Sequence, residues 1–120
     1  MKITLKQSYL AAFQILDEIF DDTQNEKLGN LLSGMNPYLF SDSMSADPAT
    51  WHEWVSCATA VQGDGKLADN SIFETLVSFL RYNEKEYGYK SDLILKNIQG
   101  PSYQERWKKI LEKASTLTDM

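Results

Sequence analysis

Apolar residues recur at three- and four-residue spacing in segment after segment of this chain, and glycine or proline breaks the pattern between segments. That period lines side chains along one face of a helix, so the pattern restricts the chain to helical architectures. The sharpest case is ADPATWHEWVSCATAV, residues 46–61. Asp47 suits a helix N-cap. Pro48 fits the first turn, because its fixed φ is helical and its missing N–H is not needed there. Trp51, Trp54, Val55, Ala58 and Val61 then form one apolar stripe.

Five further segments read the same way. A first helix is expected over about residues 5–21, with Leu5, Tyr9, Phe13, Leu16 and Phe20 inward, widened by Ala12 and Ile19. Leu10 and Ile15 fall off that stripe, so cover on more than one side is expected. A short second helix carries Leu28, Leu31, Leu32 and Met35 and ends near Gly34, before Asn36-Pro37. Residues 38–46 read as a loop anchored by Leu39 and Phe40. Gly63-Asp64-Gly65 stops the tryptophan helix. Asp69 is the expected cap of a fourth helix, with Phe73, Leu76, Val77 and Leu80 inward and Gly88 as its C-terminal cap. Ser91 opens a short fifth helix with Leu93, Ile94 and Ile98, ended by Gly100-Pro101. A sixth covers about residues 102–115, with Tyr103, Trp107, Ile110, Leu111 and Ala114. Thr4 and Gln7, Thr23 and Glu26, and Ser102 and Glu105 have capping-box spacing.

No segment alternates as a strand must, so no sheet is expected. The fold reading is all-α: a compact single-domain bundle of about six helices over residues 1–120. Its core is expected to hold Phe13, Leu16, Leu31, Trp54, Phe73, Leu76, Val77 and Trp107. Trp51 and Tyr38 are the candidates for partial exposure.

The net charge of −5 is unevenly spread. Residues 1–40 hold five acids and three bases, residues 41–80 six acids and one base, and residues 81–120 six acids and eight bases. No basic residue occurs between Lys27 and Lys66. Such a surface repels nucleic-acid phosphates and draws in basic proteins, chiefly by raising the association rate. No apolar run approaches the roughly 18 residues of a membrane span. No signal-peptide pattern is visible, and the single cysteine excludes an internal disulfide, so a cytoplasmic protein is expected. Neither nucleic acid nor membrane is an expected partner.

Catalytic chemistry finds little support in the residues. His52 is the only histidine and Cys57 the only cysteine. Five positions on a helix put them about 140° apart, which does not make a local dyad. Zinc needs a cluster of such ligands. Residues 42–47 lack the glycine and the repeated oxygen ligands of a calcium loop. Gly63-x-Gly65 follows no strand and is a turn rather than a phosphate cradle. Arg106, Lys108, Lys109 and Lys113 are interleaved with Glu105 and Glu112, as on a solvated helix face. The expectation is a protein that is not an enzyme and holds neither cofactor nor metal. Tyr82, Tyr87 and Tyr89 are read as a second surface patch or as cover for the edge of the core.

Three segments carry a resemblance to a known class: Leu28-Gly29-x-Leu31-Leu32-Ser33-Gly34-Met35, Ala46-Asp47-Pro48-Ala49-x-Trp51-x-x-Trp54 and Ile72-Phe73-Glu74-x-Leu76-x-x-Phe79-Leu80. In these the chain resembles small acidic all-helical immunity proteins of bacterial polymorphic toxin and contact-dependent growth inhibition systems. The resemblance covers roughly residues 5–98. It implies a cytoplasmic protein that binds the C-terminal domain of one cognate toxin and blocks it. It carries over no functional residue. The acidity adds that the toxin is basic, as a nuclease with a phosphate-binding cleft would be. Such an interface, on the order of 1,600 Å², is expected on Asp42, Asp47, Trp51, Glu53, Asp64, Asp69 and Glu74. The alternative from a different class is a helical scaffold or regulatory protein-interaction module.

Overall fold

In the computed structural model, residues 2–36, 48–63 and 67–116 are described; for Lys2, Pro48 and residues 67–70 the description is confined to the backbone. Six helices follow one another: α1 (Leu5–Thr23), α2 (Glu26–Met35), α3 (Pro48–Gln62), α4 (Asp69–Tyr87), α5 (Ser91–Gln99) and α6 (Pro101–Ala114). The fold is all-α, as its apolar periodicity predicts. One small addition escapes that periodicity. Residues Lys2–Ile3 (β1) pair antiparallel with Leu67–Ala68 (β2), in register Lys2 to Ala68 and Ile3 to Leu67. A two-residue pairing is too short to produce alternation in a sequence. It ties the start of α1 to the start of α4 and buries Ile3 completely.

Local chemistry accounts for the helix ends. Thr4 forms the expected capping box: its hydroxyl accepts from the Gln7 N–H at 3.1 Å, and Gln7 Oε1 accepts from the Thr4 N–H at 2.9 Å. The other two boxes do not form. Asn25, not Thr23, caps α2, accepting from the N–H groups of Lys27 and Leu28 at 3.1 and 3.3 Å. Thr23 closes α1 instead, donating its hydroxyl to the Ile19 carbonyl at 2.7 Å. Ser102 lies inside α6, because Pro101 sets the start with Gly100 as N-cap. Asp69 begins α4 as its first residue rather than preceding it. Gly63 and Gly88 end α3 and α4 with φ of 88° and 78°, a region that L side chains rarely adopt.

α1 is the central helix, packed against α2, α3, α5 and α6. Ile15 is fully buried, as expected of a helix covered on several sides. Leu16, Leu31, Trp54, Leu76 and Trp107 are in the core as expected; Phe13, Phe73 and Val77 are half-buried against it. The centre is aromatic. Trp54 meets Phe79 edge-on at 5.4 Å and Tyr9 at 6.1 Å, and Tyr9 meets Trp51 at 5.3 Å. Edge-to-face contacts of this kind contribute beyond area burial. The polar atoms of these rings are satisfied: Trp54 Nε1–H donates to Ser8 Oγ at 3.0 Å, and Tyr9 O–H donates to the Met35 carbonyl at 2.6 Å. The core cluster draws residues from every helix.

Candidate functional site

The expected interface residues divide into two groups. Asp42, Asp47 and Asp64 lie outside the described residues, as do Tyr38, Leu39 and Phe40 and the last residues of the tail. Asp69 starts α4, and its side chain is outside the description. Of the remaining three, Glu74 is exposed on α4, while Trp51 and Glu53 are half-buried on α3. Trp51 and Glu53 turn to different sides. Trp51 packs on Tyr9. Glu53 lines a hollow of about 310 Å³ between α3 and α4. Trp51 therefore acts first as a wall of the aromatic core.

His52, Glu53, Ser56, Cys57 and Ala60 form the α3 side of that hollow, with Ser78 and Tyr82 opposite on α4. The α3 residues span an arc of about 140° on the helix, so His52 and Cys57 stand at the two margins of one depression without facing each other. The Cys57 thiol shares a hydrogen bond with Ser78, but burial, assisted by the charge of Glu53, pushes its pKa up. That is the reverse of what a nucleophilic thiolate requires. Among the described residues no group of three or more His, Cys, Asp or Glu side chains is placed to hold a metal.

Tyr82 is 66% exposed, one of two exposed large hydrophobics among the described residues. The three tyrosines near the end of α4 do not make one patch. Tyr89 is buried, donates to the Leu80 carbonyl at 2.6 Å, and has its pKa pushed up by that burial. Tyr87 is half-buried.

Two of the four bases of α6, Arg106 and Lys109, are engaged within the fold. Arg106 Nη1 lies 2.9 Å from Asp22 Oδ2 and 3.6 Å from Glu18 Oε1, and its guanidinium stacks 4.7 Å from the centre of the Tyr103 ring. Tyr103 O–H also donates to Asp22 at 2.5 Å, and these two hydrogen bonds hold the Asp22 carboxyl below its ordinary pKa. Lys109 pairs with Glu105 at 3.6 Å on an exposed face. Glu18 and Gln14 of α1 and Lys109 and Lys113 of α6 border a second groove, about 410 Å³, floored by Leu10, Ala11, Ile110 and Ala114. No helix of the described residues is long and apolar enough to cross a membrane. Comparison with known proteins gives no match: no family model, no curated protein and no solved structure is similar to this chain.

Proposed function

We propose that the protein is an immunity protein that binds the C-terminal domain of a cognate bacterial toxin and neutralises it without catalysis. The toxin is a basic nuclease, met in the cytoplasm and held through the acidic middle of this chain. One observation carries the reading: no lysine or arginine occurs between Lys27 and Lys66, while the bases of the last third include Arg81, Arg106 and Lys109, each paired with a carboxylate. The acidic stretch thus has no basic residue of its own to offset it locally. A carboxylate-rich helical face can stand in for a phosphate backbone and associate quickly with a basic cleft.

The test is kinetic. Glu53→Lys, with Asp47→Lys and Asp69→Lys beside it, is measured for association with a toxin domain encoded next to this gene, at two salt concentrations. The rate is expected to fall with each reversal and with added salt, since screening shortens the field to about 8 Å at physiological ionic strength. Glu53 is the cleanest position, because loss of a cap at Asp47 could itself cost about 1 kcal/mol of stability. Unchanged association and unchanged protection of toxin-exposed cells, with the fold intact by thermal melt, would refute the reading.

A further inference from the structure

We infer that the outward face of α4, with the hollow beside it, is an interface between two copies of this chain, laid antiparallel about a twofold axis. The inference goes beyond the proposed function and does not depend on it.

The charges on α4 select a second copy as the occupant. Glu74 and Lys85 are both exposed, and neither has an ion-pair partner among the described residues. Eleven positions at about 100° each return them to the same side of the helix, roughly 16 Å apart along it. Ser78 lies between them on that side. Arg81, the other charge there, is already bonded to Asp92 Oδ1 at 3.0 Å. The face therefore runs from an acid to a base. Laid antiparallel on its own copy, with the axis level with residues 79 and 80, it sets Glu74 of each chain against Lys85 of the other. A parallel arrangement would set like against like. This matching singles the face out, because a chain of net charge −5 repels its copies across much of its surface.

Tyr82 supplies the anchor. It is two-thirds exposed and, with Ser78, forms the α4 side of the hollow of about 310 Å³, whose α3 side includes Ser56, Cys57 and Ala60. Tyr82 stands only about 4 Å along α4 from the axis, so the twofold brings both rings and both hollows to the centre. A protruding ring and a depression side by side suit an isologous contact, in which each copy gives the knob and receives its partner's. Tyrosines at such centres are frequent energetic anchors. Opposite the copy's α3, the exposed residues His52, Ser56, Thr59 and Ala60 add no carboxylate. Glu53, half-buried beside the hollow, has an interaction within its own fold and takes no part in the pairing. The face is two helices wide, about 20 Å. That puts it at the low end of specific interfaces, and the dimer is expected to be transient. A toxin domain docking on Glu53 or Glu74 meets the monomer, so the two partners compete.

The experiment is analytical ultracentrifugation of the full chain from roughly 5 to 500 μM, a range set by a weak interface. The weight-average mass is expected to climb from 13.7 kDa toward twice that value, and less steeply at high salt. Glu74→Lys and Lys85→Glu are each expected to weaken self-association about tenfold, since both symmetric contacts turn repulsive. The double variant Glu74→Lys/Lys85→Glu is expected to restore it. Mixing the two single variants is expected to do the same, because their faces complement each other. Tyr82→Ala is expected to weaken it about tenfold. Restoration by the swap also excludes a folding defect, which a second charge reversal would not repair. A mass that stays at 13.7 kDa to the highest concentration, a Tyr82→Ala chain that associates as before, or single reversals that neither the swap nor the mixture restores would each overturn the inference. The proposed function is read by toxin association and stands or falls separately. A monomer that neutralises its toxin loses only the dimer, and a dimer that binds no toxin loses only the function.

Discussion

Two buried tyrosine hydroxyls donate to main-chain carbonyls at the same distance, 2.6 Å, yet their removal should cost different amounts. The Tyr9 hydroxyl donates to the carbonyl of Met35, the last residue of α2. The final four carbonyls of a helix have no intrahelical donor, so Tyr9 supplies a bond the helix cannot make for itself. The Tyr89 hydroxyl donates to Leu80, inside α4, whose carbonyl also receives the helix's own N–H four residues on. A net hydrogen bond contributes about 1 kcal/mol, and stranding a buried acceptor adds a further penalty of about 1–3 kcal/mol. Tyr9→Phe should therefore cost about 2–4 kcal/mol and Tyr89→Phe about 1 kcal/mol. Both phenylalanines keep the ring volume, and at position 9 the edge contacts with Trp51 and Trp54 persist. For a chain of this size each kcal/mol lowers the melting temperature by roughly 4 °C. Urea unfolding followed by tryptophan fluorescence gives the free energies, with an unchanged m-value as the check that only the native state was altered. If Tyr89→Phe costs as much as Tyr9→Phe, or Tyr9→Phe costs under about 0.5 kcal/mol, the end-of-helix argument is wrong.

Leu76, fully buried on α4, should cost about 2–5 kcal/mol when truncated to alanine; a loss within the half kcal/mol typical of surface sites would remove it from the core. The Ser91 hydroxyl is buried with no hydrogen-bond partner among the described residues, so Ser91→Ala should be neutral or stabilising by up to about 1 kcal/mol in the same urea assay. Asp17 and Asp22 should respond to pH in opposite senses. Burial, with Asp21 and Glu18 nearby, raises the Asp17 pKa above 3.8, so its ionisation opposes folding: Asp17→Asn should raise the melting temperature at pH 7 and make no difference near pH 3. Asp22 is lowered from 3.8, so its stabilisation is present above that value and lost as pH falls through the depressed one; Asp22→Asn should lower the melting temperature at pH 7, with the deficit closing in acid.

The helices were legible because each buries a stripe long enough to show its period, and the errors are errors of phase. On α4 the expected inward set was Phe73, Leu76, Val77 and Leu80, whereas Ile72, Thr75, Leu76, Phe79, Leu80 and Asn83 are buried. Thr75 and Asn83 hid the true face, because each bonds the carbonyl four residues back and so enters the core with its polar group satisfied. α5 has nine residues, too few turns to settle its phase, and Leu93 is exposed while Leu95 is buried. The Thr23 and Ser102 boxes failed because stronger signals stood beside them, Asn25 in one case and Gly100-Pro101 in the other. The hollow was not legible at all. Glu53 was singled out by its charge, but Tyr82 was read with Tyr87 and Tyr89 because they are neighbours in sequence. Tyr89, beyond the end of α4, turns inward to bond the Leu80 carbonyl, while the packing of α4 on α3 brings Tyr82 to the same depression as Glu53.

The sequence-level charge count gains its meaning from which charges the fold pairs. Asp17, Glu18, Asp21 and Asp22 sit in the last turns of α1, where the helix dipole disfavours carboxylates and no base of α1 offsets them. Arg106 of α6 does, through Glu18 and Asp22, so that its charge is compensated within the fold. Arg81 is held in the same manner by Asp92. The positive balance of the last third is thus partly consumed in holding helices together. The acidic balance of residues 41–80 has one lysine to set against it, Lys66. On the function proposed above, a basic partner would therefore meet an unbalanced negative charge from that segment and a largely compensated one from α1 and α6. Within a Debye length of about 8 Å at physiological salt, such an asymmetry would orient a basic toxin domain before any contact forms, which is why the salt dependence of association tests the proposed function.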